Sequence, residues 1–233
     1  PRYRVLTMAA FAKVGSDPQL VTVGMRHDSD SHPEKMLAMA AIEEELRIPS
    51  TYYILHSAPY YGRVVDGRMV RNAAITALAQ DLHRRGFEIG IHTDLFQMMW
   101  KNHFDPVGFI KAEITTYAEL GIPVTGAAAH GDSEVIRRKV NNMWIFAEFG
   151  QRGEIEVNGR LYPYGQRTVA EHGLTYEAYL LKRDESTGDI DQRLIGKGVA
   201  ELIALLAGIP PGQRVIILTH PEHWGRTAPS TAP

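Results

Sequence analysis

Four apolar runs of strand length each lead into residues whose side chains bind metals in proteins. In chain order, these runs lead into the segment Arg-His-Asp-Ser-Asp at residues 26–30 and into His92, His130 and His220. The runs alternate with segments of helical periodicity, which is typical of βα units around a parallel sheet. The carboxyl ends of parallel strands form the edge where ligands bind in such folds. The sequence therefore predicts one metal-dependent site at that edge.

The intervening segments predict the order of helices and hairpins. Ser31-His32-Pro33-Glu34 reads as a capping box, which places Asp28 and Asp30 in a short loop between a strand and a helix. The Asn-Gly pair inside residues 154–162 predicts a hairpin, and residues 64–69 predict a shorter one. The remaining predictions are a strand at 51–55, helices at 70–85, 109–120, from about 134 and at 194–206, and a last strand from 215.

Composition limits the class of protein and the ligands that any metal can have. The chain has 233 residues, 44% of them hydrophobic, and a formal net charge of -2. This favours a single domain over residues 1–224 with a loose tail at 225–233, and it gives no electrostatic reason to expect nucleic acid. Because the chain has no cysteine, a metal must be held by His, Asp or Glu. No stretch is apolar enough to span a bilayer and no signal-peptide pattern is visible at Pro1, so we expect a cytoplasmic protein.

Several motifs together resemble the NodB-like polysaccharide deacetylase superfamily, a group similar to carbohydrate esterase family 4. The resemblance is closest to the branch with an Arg-His-Asp-x-Asp first motif. It implies a distorted (β/α)7 barrel, a divalent metal ion, and hydrolysis of an N-acetyl or similar acyl amide on a sugar. The segments that carry it are residues 26–30, 50–53, 86–92 (Gly-Phe-Glu-Ile-Gly-Ile-His), 129–131 and 218–224 (Leu-Thr-His-Pro-Glu-His-Trp).

The same resemblance implies roles for individual residues. It makes Asp28 the general base and makes Asp30 and His92 metal ligands. Most members of the superfamily place a second histidine four residues after the first, where this chain has Phe96. In the branch that this chain resembles, a histidine after the fourth strand takes that place, so the resemblance implies that His130 is the third ligand. The alternatives for that position are Asp94 and His56.

The residue types suit hydrolysis of an amide. One carboxylate and two imidazoles favour Zn(II), with Co, Ni or Fe also compatible, and they leave a position for water. A carboxylate beside the metal can accept a proton from the attacking water. His220, at the end of the last strand, is the candidate for protonating the departing amine, and Arg26 or His27 is a candidate for orienting Asp28.

Two other functions fit parts of the pattern. His92, Asp94 and the distant His220 satisfy the spacing of a facial triad in non-haem Fe(II) oxygenases, although those enzymes commonly have antiparallel folds. A non-catalytic glycan-binding barrel that has lost the usual histidine at Phe96 is the other alternative. The favoured hypothesis is a metal-dependent N-deacetylase that acts on an acylated sugar or glycan, and the resemblance places it in surface-glycan metabolism.

Overall fold

The structure is a computed structural model that describes residues 2–189 and 199–224. Strands and helices alternate along most of this part of the chain. The strands are β1 Tyr3–Leu6, β2 Val21–Ser29, β3 Thr51–Leu55, β4 Gly62–Val65, β5 Arg68–Arg71, β6 Glu88–Thr93, β7 Gly126–Ala129, β8 Gly153–Val157, β9 Arg160–Tyr164, β10 Tyr176–Glu177, β11 Glu185–Asp189 and β12 Arg214–Thr219. The α-helices are α1 Met8–Lys13, α2 Glu34–Leu46, α3 Ala73–Arg84, α4 Leu95–Asn102, α5 Pro106–Glu119, α6 Ser133–Arg137 and α7 Val199–Gly208.

A parallel sheet forms the centre of the described chain. Its strand order is β10-β7-β6-β3-β2-β12-β11, and β1 pairs in parallel with the first half of β2. Two antiparallel hairpins, β4–β5 and β8–β9, stand apart from it, as the sequence predicts. The strands β10 and β11 are the two edge strands of the sheet, and they do not pair with each other within the described residues. The fold is thus a parallel α/β sheet with alternating helices, whereas a closed barrel of seven units is not established.

The sheet is strongly curled. Contacts between side chains at the ends of non-adjacent strands show this. Three strand spacings separate β2 from β7, which would be about 14 Å in a flat sheet. Yet Asp30 Oδ2, just after β2, lies 3.5 Å from His130 Nε2, just after β7. The hydroxyls of Tyr53 on β3 and Tyr176 on β10 likewise approach to 2.9 Å. The concave face therefore encloses a single space at the carboxyl ends of the strands.

The residues after the apolar run at 21–25 belong to strand β2, not to a loop. Since β2 continues to Ser29, alternate residues face opposite sides of the sheet. Arg26 and Asp28 face the concave side, and Asp30 follows in the same phase. His27 faces the opposite side and contacts Glu43 of α2. The prediction of a loop around Asp28 was wrong, although the placement at a strand end was right.

A buried polar network ties His27 to its surroundings. Its Nε2 lies 2.7 Å from Glu43 Oε1, and its Nδ1 lies 2.5 Å from Thr219 Oγ1 on β12. Ser50 and Tyr52 donate hydrogen bonds of 2.7 Å to the other oxygen of Glu43. These four contacts attach helix α2 to β2 and to the start of β3, and strand β12 to β2. His27 therefore positions elements of the fold, and within the described residues its side chain makes no hydrogen bond that would orient Asp28.

Helix α1 closes the other end of the curled sheet. The backbone N–H of Met8 donates to Thr51 Oγ1 at 2.8 Å, and that of Ala9 donates to Glu88 Oε2 at 2.9 Å. Thr51 and Glu88 begin strands β3 and β6, so α1 lies across the amino ends of the strands. The strands β1, β10 and β11 and helix α1 had no clear signal in the sequence.

The predicted capping box is absent. Helix α2 begins at Glu34 after Pro33, and no side chain caps it. The chain reverses at His32, which has a φ of 52°, and Lys35 N–H donates to the His32 carbonyl. This turn keeps Ser31 away from the first amides of the helix. Helix α3 also starts later than predicted, because residues 70 and 71 belong to strand β5 and Asn72 caps the helix.

Other predicted elements agree with the structure more closely. The strand at 51–55 and the strand before His220 are both present, and α5 begins three residues earlier than expected because Asp105 caps it. Part of the predicted helix at 194–206 and the whole predicted tail at 225–233 lie outside the described residues. No helix within the described residues is long and apolar enough to cross a bilayer.

Gly126 is one of the positions where the curled interior leaves no room for a side chain. A Cβ there would overlap the buried ring of Tyr176. We expect Gly126→Ala to lower the free energy of unfolding by about 1–3 kcal/mol, because overpacking forces a buried ring and its strand to shift. Urea denaturation measures this. Gly15→Ala is the matched control, since nothing lies within 4 Å of a Cβ at that position. Equal stability of the two variants would contradict the packing described here.

Candidate metal centre

Three side chains from the ends of different strands converge in the space enclosed by the sheet. Asp30, His92 and His130 each offer one donor atom, and these atoms lie within 4.8 Å of one another. His92 Nε2 is 3.3 Å from Asp30 Oδ1, and His130 Nε2 is 3.5 Å from Asp30 Oδ2. One carboxylate and two imidazoles form a donor set that suits Zn(II) and similar divalent ions.

The hydrogen bonds around His92 and Asp30 fit a shared cation. His92 Nδ1 lies 2.8 Å from the carbonyl oxygen of Ala128, and a neutral ring that donates there has an unprotonated Nε2. Asp30 Oδ1 is buried and, in the part of the chain that the structure describes, has no hydrogen-bond partner. In that form of the ring, His92 Nε2 and Asp30 Oδ1 are two electron-pair donors 3.3 Å apart. A metal ion would satisfy both, and a carbonyl that orients a ligand histidine is a recurrent feature of metal sites.

His130 lies between two carboxylates. Its Nε2 faces Asp30, and its Nδ1 is 3.7 Å from Asp94 Oδ2. Burial opposes protonation of the ring, but Asp30 and Asp94 outweigh it and raise the pKa of His130 to about 10. Without a metal, His130 is therefore protonated at neutral pH. Its proton and a metal ion would compete for Nε2.

Asp94 is itself held by a small network. Ser57 Oγ donates to Asp94 Oδ2 at 2.6 Å, and Asn142 Nδ2 donates to Asp94 Oδ1 at 2.9 Å. Asn142 also bonds the carbonyl oxygen of His130 at 2.8 Å. Although burial favours the neutral acid, His130, Ser57 and Asn142 lower the pKa of Asp94 to about 2. Asp94 is thus a fixed anion behind His130.

Asp28 lies beside the group and is paired with Arg26. Arg26 Nη2 is 2.5 Å from Asp28 Oδ2, and both side chains are buried. The same nitrogen bonds the hydroxyl of Tyr179 at 3.1 Å, and the guanidinium carbon lies 4.6 Å from the centre of that ring. Burial tends to lower the pKa of Arg26, but Asp28 and Tyr179 raise it overall. Asp28 Oδ1 is buried and has no hydrogen-bond partner among the described residues.

Asp28, Asp30, His92 and His130 line a cavity of about 330 Å³. Its wall includes His220, whose Nε2 is 3.7 Å from Asp30 Oδ2. The backbone N–H of Asp30 donates to Glu222 Oε1 at 3.1 Å, which fixes the chain after β2 against the segment after β12. The predicted residues Arg26, Asp28, Asp30, His92, His130 and His220 therefore all line one cavity.

The two alternatives for the third ligand, His56 and Asp94, do not belong to the group Asp30, His92 and His130, although Asp94 converges with His130 and Asp132 in a second group. His56 is buried, and its Nε2 accepts a hydrogen bond of 2.8 Å from the Asp94 amide. Burial lowers the pKa of His56 to about 3, so it is a neutral acceptor. Phe96 packs in the core and stacks on Trp100. Within the described residues, the donor atoms of His92, Asp94 and His220 do not form a metal-binding group, so the facial triad is not present.

Sequence reasoning missed the cavity wall that comes from the segment after β10. Glu177 accepts backbone hydrogen bonds from Ala129 and Tyr179, which attaches the turn Ala178–Leu180 to β7. Burial raises the pKa of Glu177 to about 7, against the effect of those hydrogen bonds. Tyr179 and Arg183 of this segment line the cavity. The segment has neither a periodic pattern nor a motif that would have identified it.

The chain matches no protein-family model and no curated protein. Among solved structures, it is similar to one described as a BA3943 mutant, a CE4 family pseudoenzyme with restored enzymatic activity. The TM-score is 0.43 and the sequence identity is 14%, and the alignment covers 88% of this chain and 58% of that chain. The chain thus spans less than two thirds of the length of that structure. A match this weak assigns neither a family nor an activity.

We expect metal binding at this site to release a proton and to strengthen with pH. Because the pKa of His130 is about 10, its proton must leave before Nε2 can bind a metal. The apparent affinity for Zn(II) should rise about tenfold per pH unit between about pH 6 and about pH 8. Calorimetric titrations in buffers of different ionisation enthalpy measure the proton count. His103→Asn, which changes an exposed histidine, should behave as wild type. An affinity independent of pH would contradict the assignment.

Proposed function

We propose that this chain is a metal-dependent hydrolase that removes an acyl group, in the simplest case acetyl, from an amine on a carbohydrate. The observation that carries the proposal is the buried, unpartnered Oδ1 of Asp28 beside the group Asp30, His92 and His130. A metal site that served only the fold would have no use for a second carboxylate held in this way. We propose that residues 1–224 form a single catalytic domain.

In this proposal Asp30, His92 and His130 hold the metal ion, for which Zn(II) is our choice. The three donors fit the ion, since Asp30 Oδ1 has no other partner and the Ala128 carbonyl directs His92. The ion would supply Lewis acidity, which polarises an acyl carbonyl and makes water more acidic. Asp94 Oδ2 lies 3.7 Å from His130 Nδ1, which is too far for a hydrogen bond, so Asp94 would act on that ring through its charge.

Asp28 is the proposed general base. Its Oδ2 is fixed by Arg26, and its Oδ1 is left to accept the proton of the attacking water. The guanidinium also compensates the buried negative charge. Arg26 is in turn fixed by the hydroxyl and ring of Tyr179, so the base cannot rotate freely.

His220 is the proposed proton donor to the departing amine. It lines the same cavity and approaches Asp30 Oδ2. Asp28 is at the end of β2 and His220 follows β12, and these adjacent strands are held in register through Thr219 opposite His27. An acid and a base on neighbouring strands can serve opposite ends of the same amide bond.

The carbohydrate class of substrate rests on the resemblance of the sequence motifs, and the cavity is consistent with it. Its wall combines several hydrogen-bonding side chains with one partly exposed aromatic ring, Tyr179. Such a surface suits the mixture of hydroxyl groups and C–H faces that a sugar presents. Surface-glycan metabolism is the setting that the resemblance implies.

The test compares Asp28→Asn with wild type on a panel of N-acetylated amino sugars and their oligomers, with acetate release as the readout. We expect kcat/KM to fall by about 100- to 10,000-fold, because the proton acceptor is lost. Metal content should stay at the wild-type level, since Asp28 is not among the three donors. Asp66→Asn, an exposed change of the same kind in the β4–β5 turn, is the control.

Wild-type rates in Asp28→Asn would refute the assignment of the base. A wild-type protein that binds these sugars but releases no acetate from any of them would instead favour the non-catalytic glycan-binding alternative. Measuring metal content in every sample separates loss of chemistry from loss of the fold or of the ion.

A further inference from the structure

The cavity has a second cationic side chain that the proposed reaction does not use. Arg183 lines the cavity together with Tyr179 and Arg26. It lies four residues after Tyr179, in the segment between the turn Ala178–Leu180 and strand β11. The side chain is partly buried, whereas its neighbour Lys182 is exposed.

The charges of the other lining residues are accounted for within the site. Arg26 is paired with Asp28 at 2.5 Å. Asp30, the other acid in the lining, lies among the three imidazoles of His92, His130 and His220. Arg183 has no ion pair with any acid in the described part of the chain. The cavity therefore has one positive charge that no carboxylate of its own lining balances.

The hydrogen bonds of Arg183 leave most of its guanidinium available. Nη1 bonds the carbonyl oxygens of Tyr179 and Leu181 at 3.2 and 3.4 Å. Nε and Nη2 have no acceptor among the described residues. The two carbonyls thus hold Nη1. The edge formed by Nε and Nη2 has two parallel N–H donors, and this is the geometry that binds a carboxylate through both of its oxygens.

Building on the hydrolase proposed above, we propose that Arg183 binds an anionic substituent, a carboxylate, carried by the acylated sugar. An acylamino uronic acid, whose carboxylate replaces the neutral hydroxymethyl group of an ordinary hexosamine, has this chemistry. Arg183 would determine specificity and would take no part in the acyl transfer. The neutral hexosamine would then be the weaker ligand.

The experiment uses two N-acetylated probes, 2-acetamido-2-deoxyglucuronic acid and its primary amide, which differ only in the charge of one group. Binding of each is measured by calorimetry or NMR titration with wild type, Arg183→Gln, Arg183→Lys and Lys182→Gln. The last variant removes one positive charge from the adjacent position and is the matched control. Acetate release is recorded separately for both probes.

We expect wild type to bind the acid at least about tenfold more tightly than the amide, since a charge-assisted bidentate pair stabilises the complex. Arg183→Gln should abolish that preference and leave the affinity for the amide unchanged. Arg183→Lys should restore part of the preference, and Lys182→Gln should keep all of it. A purely structural role, in which Arg183 only holds the turn before it, would instead weaken both probes equally.

The proposal is overturned if wild type binds the acid and the amide equally, if it does not bind the acid, or if Arg183→Gln keeps the preference. These results are independent of turnover. Charge-dependent binding through Arg183 without acetate release from either probe would refute the proposed hydrolysis and leave the anion site in place. Acetate release from both probes at equal rates and equal affinity would refute the anion site and leave the hydrolase in place.

Discussion

The two-residue alternation of strand β2 is the constraint on which the candidate site depends. Because β2 runs straight through residues 26–29, Arg26 and Asp28 face the enclosed space and His27 faces helix α2. The buried Glu43 then fixes His27, with hydrogen bonds from Ser50 and Tyr52 to its second oxygen. A slip of one residue would exchange the faces and place the carboxylates under the helix. The network on the convex side therefore specifies which side chains reach the site.

The candidate site also depends on the curl of the sheet, because the donor residues at the ends of β2, β6 and β7 must meet. Tyr53 and Tyr176 meet in the interior, and glycines on neighbouring strands give their rings room. Behind the donors, the Ala128 carbonyl accepts the hydrogen bond from His92 Nδ1, Asn142 bonds the backbone carbonyl of His130, and the charge of Asp94 lies 3.7 Å from His130 Nδ1. These supports are a backbone carbonyl and two side chains outside the group Asp30, His92 and His130.

The sequence predicted those parts of the site that depend on strand ends. Asp30, His92, His130 and His220 each follow an apolar run, and a parallel sheet places such positions together. The sequence could not distinguish His130 from its alternatives, because that choice depends on how far the sheet curls. It also missed Arg183, since the segment that includes it pairs with β7 through only two residues and has no period of its own. The capping box failed for a local reason, because the turn at His32 separates Ser31 from the helix amides.

The most direct test of the central claim is the location of a bound ion. Crystals of the full chain grown with Zn(II) and measured above the zinc absorption edge should show one anomalous peak, about 2.0–2.2 Å from the facing donor atoms of Asp30, His92 and His130. The same experiment on the His92→Ala variant should show no peak there. A peak in wild type among Asp94, His130 and Asp132, the other group of converging donors in the described residues, or no peak at either place, would contradict the account.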